Sequence, residues 1–221
     1  MPALPSSARS GWHSHVLVTV EGFVLAGGNS RRFGQDKALV VYQGSTLVER
    51  SVQTLLEAEC ERVVVLHRRP DALRFLDCEI AFDLGGGRGP LDGLHTALSL
   101  ARSELVVTLP VDQPLVTAEV VRRLLEVATD ENEHDVVAAC DDQDSRHHLT
   151  AVWRREVCLA IVGDHVARGE SSPRRMLSDL RDRWVRFPAA IMLNVNRPEE
   201  LPTSPSTLAD ENRSYDADRN S

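Results

Sequence analysis

The segment from Gly22 to Lys37 reads Gly-Phe-Val-Leu-Ala-Gly-Gly-Asn-Ser-Arg-Arg-Phe-Gly-Gln-Asp-Lys. Its apolar part, Phe23 to Ala26, predicts a buried strand, which ends abruptly in a glycine-rich loop. Glycines allow several backbone N–H groups to turn toward one anion without a Cβ in the way. Arg31, Arg32 and Lys37 add cationic donors that can reach a polyphosphate. The segment therefore predicts a phosphate-binding loop at the end of a buried strand.

The composition is that of an ordinary globular protein. The chain has 221 residues, of which 42% are apolar and 26% are charged, and its formal net charge is -8. This length can bury one large core. Because affinity for a nucleic-acid backbone requires surplus Lys and Arg on one face, the acidic balance argues against a nucleic-acid partner. A small anionic ligand held by a local cluster of cations is compatible with it.

Cysteine usage and hydropathy both favour a cytoplasmic protein without a membrane partner. The chain contains four cysteines, Cys60, Cys78, Cys140 and Cys158. They form no C-x-x-C pair and have no regular metal spacing, so we expect reduced, packed thiols. Residues 1–15 lack the apolar core of an export signal, and the run Val16–Val20 is far too short to span a bilayer.

Strand and helix signals alternate along the chain. A capping box formed by Thr46 and Glu49 opens a helix that is predicted to end near Ala58. Apolar runs predict further strands at Val63–Leu66, Ile80–Asp83, Leu105–Asp112, Val136–Cys140, Leu149–Trp153 and Ala189–Asn196. Helical spacing predicts further helices after Gly93, after the capping residue Thr117, from Glu156 to Val166 and from Met176 to Leu180.

This alternation predicts an α/β fold, a three-layer α/β/α sandwich around a mostly parallel sheet. We assign the domain to residues 20–201, between a flexible N-terminal arm (1–19) and a polar, disordered C-terminal tail (202–221). In such sheets, ligands bind outside the carboxyl ends of the strands, where the strand order reverses. The glycine loop, Asp83 and Asp112 all follow strands at that edge, so we expect them to lie along one rim.

The loop matches neither of two common phosphate-binding motifs. Five residues separate Gly28 from Gly34, and two more separate Gly34 from Lys37, whereas a Walker A loop requires G-x-x-x-x-G-K-[ST]. The G-x-G-x-x-G pattern is also absent. A P-loop ATPase and a dinucleotide-binding dehydrogenase are therefore disfavoured, and a plain strand-to-helix connection stays open as the alternative.

Two carboxylates and a second glycine-rich turn are candidates for the same site. Asp112, between Pro110 and Pro114, follows a strand and would hold Mg²⁺ against a nucleotide's phosphates, or simply end the strand. Asp83 has the equivalent position one strand away and would bind a ligand or brace the glycine loop. The turn Gly85–Gly93 would let a flat base or sugar lie against backbone, or serve only as a flexible lead into a helix.

Other patterns are weaker. His147 and His148 with the acidic run Asp141–Asp144 suggest a metal site, but no third ligand has coordinating spacing, and a solvated turn is favoured. No G-x-S-x-G elbow is present, so a covalent nucleophile is disfavoured.

Leu25–Lys37 resembles the L-A-G-G-x-S-x-R-M-G-x-D-K signature of the molybdenum cofactor guanylyltransferases. Four more stretches follow in the family's order. Asp83 with Gly89–Gly93 resembles D…G-P-L-A-G, and Pro110–Leu115 resembles P-x-D-x-P-L. His148–Arg155 resembles Q-P-L…Y-R-R, and Asn194–Leu201 resembles N-x-N-T-P-E-D-L. The resemblance covers Gly22 to Leu201. It implies a Rossmann-like domain of the nucleotide-diphospho-sugar transferase type that transfers GMP from GTP to molybdopterin and releases pyrophosphate.

The resemblance also implies roles for individual residues. The backbone of Leu25, Ala26, Gly27 and Gly28 would recognise guanine, Arg32 and Lys37 would hold phosphates, Asp83 would bind the nucleotide, Asp112 would carry Mg²⁺, and Asn194 and Asn196 would face the acceptor. Catalysis would then rest on Arg32, Lys37 and Asp112. The implied partners are GTP, a molybdopterin-type cofactor and other proteins of the molybdenum cofactor pathway.

The chain departs from the family pattern in several places. Phe33 replaces Met, Leu66–Arg68 lacks an Asn that contacts the nucleotide, Asp92 replaces Ala, and His147 replaces the Gln of Q-P-L. A cytidylyltransferase of the same pathway is an alternative that Gly27–Gly28 disfavours. A sugar-phosphate or phospholactate nucleotidylyltransferase, and a nucleotide-binding regulator without turnover, are further alternatives.

Overall fold

The computed structural model describes residues 19–27, 35–83, 89–131 and 133–202. In these ranges the strands are β1 Val20–Leu25, β2 Val41–Tyr42, β3 Ser45–Thr46, β4 Arg62–His67, β5 Glu79–Phe82, β6 Leu105–Pro110, β7 Val136–Asp141, β8 Arg146–Arg154 and β9 Asp182–Phe187. The helices are α1 Leu47–Glu57, α2 Pro90–Leu100, α3 Ala118–Asp130, α4 Arg155–Ala167 and α5 Pro173–Met176. Short 3₁₀ helices span Lys37–Leu39, Pro70–Leu73, Leu177–Asp179 and Pro198–Glu200.

Seven of the strands form one sheet in the order β5-β4-β1-β6-β8-β7-β9. Only β8 runs antiparallel to its neighbours in this sheet. The chain builds outward from β1 through β4 to β5 and then returns to place β6 on the other side of β1. The strand order therefore reverses between β1 and β6, and the pairing of Leu25 with Pro110 brings the carboxyl ends of these two strands level. Such a reversal opens a crevice for ligands.

Helices cover both faces of the sheet. Neighbouring residues on β1 point to opposite faces, so Val24 belongs to a buried cluster with Leu55 and Leu124 of α1 and α3. Phe23 belongs to a second buried cluster with residues of α2 and α4, among them Leu94 and Val162. The predicted three-layer sandwich around a mostly parallel sheet is confirmed.

The predicted helix ends are mostly close to those observed. The capping box at the start of α1 is present, because the Glu49 backbone N–H donates to the Thr46 hydroxyl and the Glu49 carboxylate accepts from the Thr46 N–H. Thr117 occupies the N-cap position of α3, but its side chain makes no capping hydrogen bond. The predicted helix Met176–Leu180 is replaced by α5 and a 3₁₀ turn.

The predicted strand Ala189–Asn196 is wrong. In this segment the backbone folds into turns, in which the Ile191 and Met192 N–H groups donate to the carbonyls of Pro188 and Ala189. Ile191, Met192 and Val195 are buried in the cluster that also contains residues of the sheet, whereas Leu193 is exposed. The last strand is instead β9, which lies at the sheet edge, where a mixture of charged and apolar residues suits a strand with an exposed face.

The cysteine prediction agrees with the structure, in which all four thiols are free and three are buried. No helix in the described ranges is both long and apolar enough to cross a membrane. The predicted N-terminal arm up to residue 18 and the C-terminal tail from residue 203 lie outside the described residues. The domain boundaries stay a prediction.

Candidate active site

Lys37 and Asp112 meet beside the point where the strand order reverses. Lys37 begins a 3₁₀ turn in the connection that follows β1, and Asp112 follows β6. The Lys37 ammonium lies 3.6 Å from an Asp112 carboxylate oxygen, and their side chains are 14% and 31% exposed. Solvent screens such a half-exposed pair, so its value for stability is small. The pair matters for the site and not for stability, because it brings a cation and a carboxylate to the same crevice.

A buried histidine secures the turn that carries Lys37. The Asp36 carboxylate accepts from the Ala38 N–H at 3.2 Å and from the Arg69 guanidinium at 2.8 Å. His67, at the end of β4 and 3% exposed, places Nε2 3.1 Å from the same carboxylate. The end of β4 and the residues just after it therefore hold Asp36, the residue that precedes Lys37. The role of His67 does not follow from the sequence, where this position is marked only by the absence of the family's Asn.

Asp83 lies between the two glycine-rich segments. A Cβ added to Gly27 would lie 2.2 Å from the Asp83 Oδ2 atom, and one added to Gly93 would lie 3.9 Å from it. Asp83 is buried, and its backbone N–H donates to the carbonyl of His67. Only a residue without a side chain allows this approach at position 27. The position suits both predicted roles of Asp83, ligand binding and bracing of the loop.

The two asparagines predicted to face the acceptor lie next to Asp112. The Val195 N–H donates to the Asp112 carbonyl at 2.8 Å. Val195 is fully buried, whereas Asn194 and Asn196 on either side of it are exposed. The structure thus brings together Lys37, Asp112 and both asparagines at one edge of the sheet.

Other predicted site residues are placed as follows. Leu25 ends β1, and Ala26 is buried with its N–H donating to the Leu66 carbonyl. Gly28, Arg32 and the part of the second glycine turn from 84 to 88 lie outside the described residues. Asp92 is buried in the first turn of α2, where the helix dipole favours a negative charge.

A buried acid–histidine pair joins the end of β7 to the start of β8. His147 Nε2 lies 3.5 Å from an Asp141 oxygen. Burial lowers the pKa of His147 below its ordinary value, and the Asp141 carboxylate offsets this only in part. Burial by itself raises the pKa of Asp141, but N–H groups of Ser145 and Gln143 donate to its carboxylate and leave the pKa below its ordinary value. A solvated turn was therefore the wrong interpretation for these two residues, although Asp142 to Ser145 are exposed.

The donor set suits a hard divalent cation held together with a ligand. Within the described ranges, no three His, Cys, Asp or Glu side chains cluster so that they could hold a metal by themselves. Mg²⁺ is commonly bound by one or two carboxylates together with substrate phosphates and water. Asp112, partly exposed beside the crevice, supplies such a carboxylate.

The fold, with a cation and a carboxylate at its crevice, is the arrangement expected of a nucleotidyltransferase. The structure of molybdopterin-guanine dinucleotide biosynthesis protein A from Archaeoglobus fulgidus shares the fold, with a TM-score of 0.69 and 21% identity over 86% of this chain and 99% of that one. Residues 22–184 match the family model described as the MobA-like NTP transferase domain. The chain belongs to this family.

Its relatives include named enzymes. The molybdenum cofactor guanylyltransferase of Xanthomonas euvesicatoria pv. vesicatoria is 32% identical, over 81% of this chain and 90% of that protein. The molybdenum cofactor guanylyltransferase of Desulfosudis oleivorans is 29% identical, over 82% of this chain and 92% of that protein. These similarities place the chain among the nucleotidyltransferases of molybdenum cofactor biosynthesis.

Proposed function

We propose that this protein transfers GMP from GTP to the terminal phosphate of molybdopterin and releases pyrophosphate in a Mg²⁺-dependent reaction. The observation that carries the proposal is the meeting of Lys37, Asp112 and the Asn194–Asn196 segment beside the crevice between β1 and β6. The names of the relatives support guanine as the base and the molybdenum cofactor as the acceptor.

The chemistry requires alignment and charge neutralisation more than proton transfer. The nucleophile is an oxygen of the acceptor phosphate, which is already ionised, so no strong general base is needed. A new bond forms between this oxygen and the α-phosphorus of GTP, and the bond from that phosphorus to the bridging oxygen of the β-phosphate breaks. Pyrophosphate leaves with the bonding electrons. The protein therefore has to hold the two phosphates in line and compensate their charge.

Different charged residues of the site would hold the phosphates and the metal ion. Lys37, with Arg32 from the same loop, would hold the phosphates of GTP through charge-assisted hydrogen bonds. Asp112 would hold Mg²⁺, which neutralises charge on the phosphates when it is bound. Because the Lys37 ammonium and the Asp112 carboxylate already lie 3.6 Å apart, both would act on the same group of phosphates.

The ends of β1 and β5 would form the base side of the site. The backbone of Leu25 to Gly28 would recognise guanine, and Asp83, which lies against Gly27, would bind the nucleotide. Asn194 and Asn196 would contact the acceptor. We also infer a cytoplasmic location, which free thiols favour, and contacts with other proteins of the pathway that supply and accept the cofactor.

Pyrophosphate release from purified protein tests the proposal. The protein is given Mg²⁺ and either GTP or CTP, with and without molybdenum-loaded molybdopterin. We expect release only with GTP and the acceptor together. Release with CTP but not with GTP would overturn the assignment of guanine as the base. A large thermal shift with GTP and Mg²⁺ but no release in the presence of acceptor would identify a nucleotide-binding regulator.

A further inference from the structure

Gln113, the residue after Asp112, has a buried polar side chain that contacts two other parts of the chain, β8 and the segment at Met192. It is 2% exposed. Its Nε2 atom lies 3.2 Å from the Met192 carbonyl oxygen and 2.6 Å from Nδ1 of His147. Its Oε1 atom accepts from the Thr150 hydroxyl. A buried side chain with this many partners is costly to disturb, because each lost bond leaves a desolvated polar group.

The partners determine the orientation of the carboxamide. The Met192 carbonyl can only accept, so the group of Gln113 that faces it is the NH₂. The same NH₂ faces His147 Nδ1, which must therefore be the unprotonated ring nitrogen. The ring proton then lies on Nε2, which faces the Asp141 carboxylate at 3.5 Å. A neutral His147 is thus the form that Gln113 can bind.

Gln113 joins the Asp112 turn to the segment that bears the two asparagines. Met192 receives a hydrogen bond from the Gln113 side chain, and three residues later the Val195 N–H donates to the Asp112 carbonyl. Asn194 lies between these two links. Because residues 189–192 form turns and residues 193–196 have no regular secondary structure, no sheet ladder holds them. Their position relative to Asp112 depends on these few bonds and on the burial of apolar side chains.

We propose that Gln113 is a positioning residue for nucleotidyl transfer, and that His147 supports it. Gln113 sets the distance between the Asp112 carboxylate and the asparagines that would face the acceptor. The inference rests on the proposed function. An error of about 1 Å between reacting groups can cost roughly 100-fold in rate, so loss of this link should lower kcat more than it affects GTP binding.

The test compares Gln113→Met, which keeps the length of the side chain and removes its hydrogen bonds, with the wild-type protein. We expect kcat to fall roughly 100-fold, while the KM for GTP stays within about 3-fold. Amide hydrogen exchange at Val195 should become faster. The matched control is Trp153→Phe, which removes a buried hydrogen bond to Thr108 deeper in the sheet and should keep both kcat and the exchange at Val195.

A second pair of variants tests the hydrogen bond between Gln113 and His147 of β8. In His147→Gln, an amide oxygen can accept from Gln113 in place of Nδ1, so kcat should stay close to that of the wild type. His147→Leu offers no acceptor and should reproduce the loss seen in Gln113→Met. A loss in His147→Gln as large as that in His147→Leu would overturn the role assigned to His147. If Gln113→Met does not fold, His147→Leu carries the test of the link.

The two proposals fail in different ways. If the wild-type protein releases no pyrophosphate, the proposed function is wrong, and hydrogen exchange at Val195 still decides whether Gln113 holds the segment. If Gln113→Met folds with wild-type kcat, or if exchange at Val195 is unchanged, the positioning role is wrong and the proposed function stands.

Discussion

Lys37 places its ammonium nitrogen 3.6 Å from an Asp112 carboxylate oxygen, although 75 positions along the chain separate the two residues. The two lie after β1 and β6, which are neighbours in the sheet. The contact is therefore a product of the reversal in strand order, and it makes Asp112 the residue on which the proposed chemistry depends most.

Replacement of Asp112 should abolish turnover without unfolding the protein. We expect Asp112→Ala to reduce pyrophosphate release at least 100-fold, because loss of one charge that stabilises a transition state typically costs a few kcal/mol. The side chain is 31% exposed, so the melting temperature should change little. Asp71→Ala, which removes a fully solvated carboxylate paired with Arg74, is the control and should keep full activity. Near-normal activity of Asp112→Ala would contradict the assignment of Asp112 as the ligand of Mg²⁺.

A methyl group at position 27 should disrupt the nucleotide side of the site. In Gly27→Ala the new Cβ would lie 2.2 Å from an Asp83 oxygen, a distance that forces a displacement. We expect GTP affinity to fall at least 10-fold in a calorimetric titration. The control is Gly163→Ala in α4, where the new Cβ would meet only His95 at 3.5 Å and GTP affinity should not change.

The clash can be separated from the role of the carboxylate. In the double variant Gly27→Ala with Asp83→Ala the steric conflict is largely relieved, because only the Cβ of residue 83 remains, at 3.3 Å, so thermal stability should largely recover. GTP affinity should stay low if Asp83 binds the nucleotide. Recovery of affinity together with stability would show that Asp83 only braces the loop.

Loss of His67 should misplace Lys37. In His67→Ala the Asp36 carboxylate loses the Nε2 contact at 3.1 Å, which helps to fix the turn that begins at Lys37. We expect about a 10-fold loss in kcat/KM for GTP, a value below the 100-fold typical of a deleted catalytic charge. His134→Ala removes a histidine that is paired with Glu131 on the surface, away from the site, and should have no effect. Equal kinetics for His67→Ala and the wild type would contradict the positioning of Lys37 by this histidine.

The ion pair between Asp135 and Arg181 should make the stability of the folded state depend on pH. A hydrogen bond from Arg181 holds the pKa of Asp135 below its ordinary value of 3.8, although burial opposes this. A carboxyl group whose pKa is lowered by folding stabilises the folded state above its unfolded pKa and loses this effect as pH falls through its folded pKa. We therefore expect Asp135→Asn to lower the melting temperature by about 3 °C at pH 7.

The difference should disappear in acid. As pH falls below 3.8, the carboxyl protonates first in the unfolded chain, and the stabilisation is lost as pH falls on through the lower pKa of folded Asp135, so the melting temperatures of the two proteins should converge in this range. Asp130→Asn, at the end of α3, is the control and should leave the melting temperature unchanged at both pH values. A constant gap between Asp135→Asn and the wild type from pH 7 to pH 3 would contradict the prediction.

Local patterns were sufficient for much of the fold and for part of the site. The capping box at Thr46 and the apolar runs predicted α1 and the central strands, because side-chain periodicity and cap chemistry involve residues that are close in sequence. The same reasoning failed at Ala189–Asn196. An apolar run in the sequence is the same whether its residues form a strand or a set of turns. The sequence did not predict β9, because an edge strand is partly exposed and has a weaker apolar pattern than a buried strand.

The sequence by itself determined that a glycine loop, cationic side chains and strand-ending carboxylates would share the carboxyl edge of one sheet. Only the tertiary structure decided which of them meet: Asp83 against Gly27, Lys37 beside Asp112, His67 against Asp36, and Gln113 between His147 and Met192. The reason is physical. Strand and loop signals are local, whereas the strand order and the fit of buried polar side chains arise from contacts between distant segments, which no local pattern records.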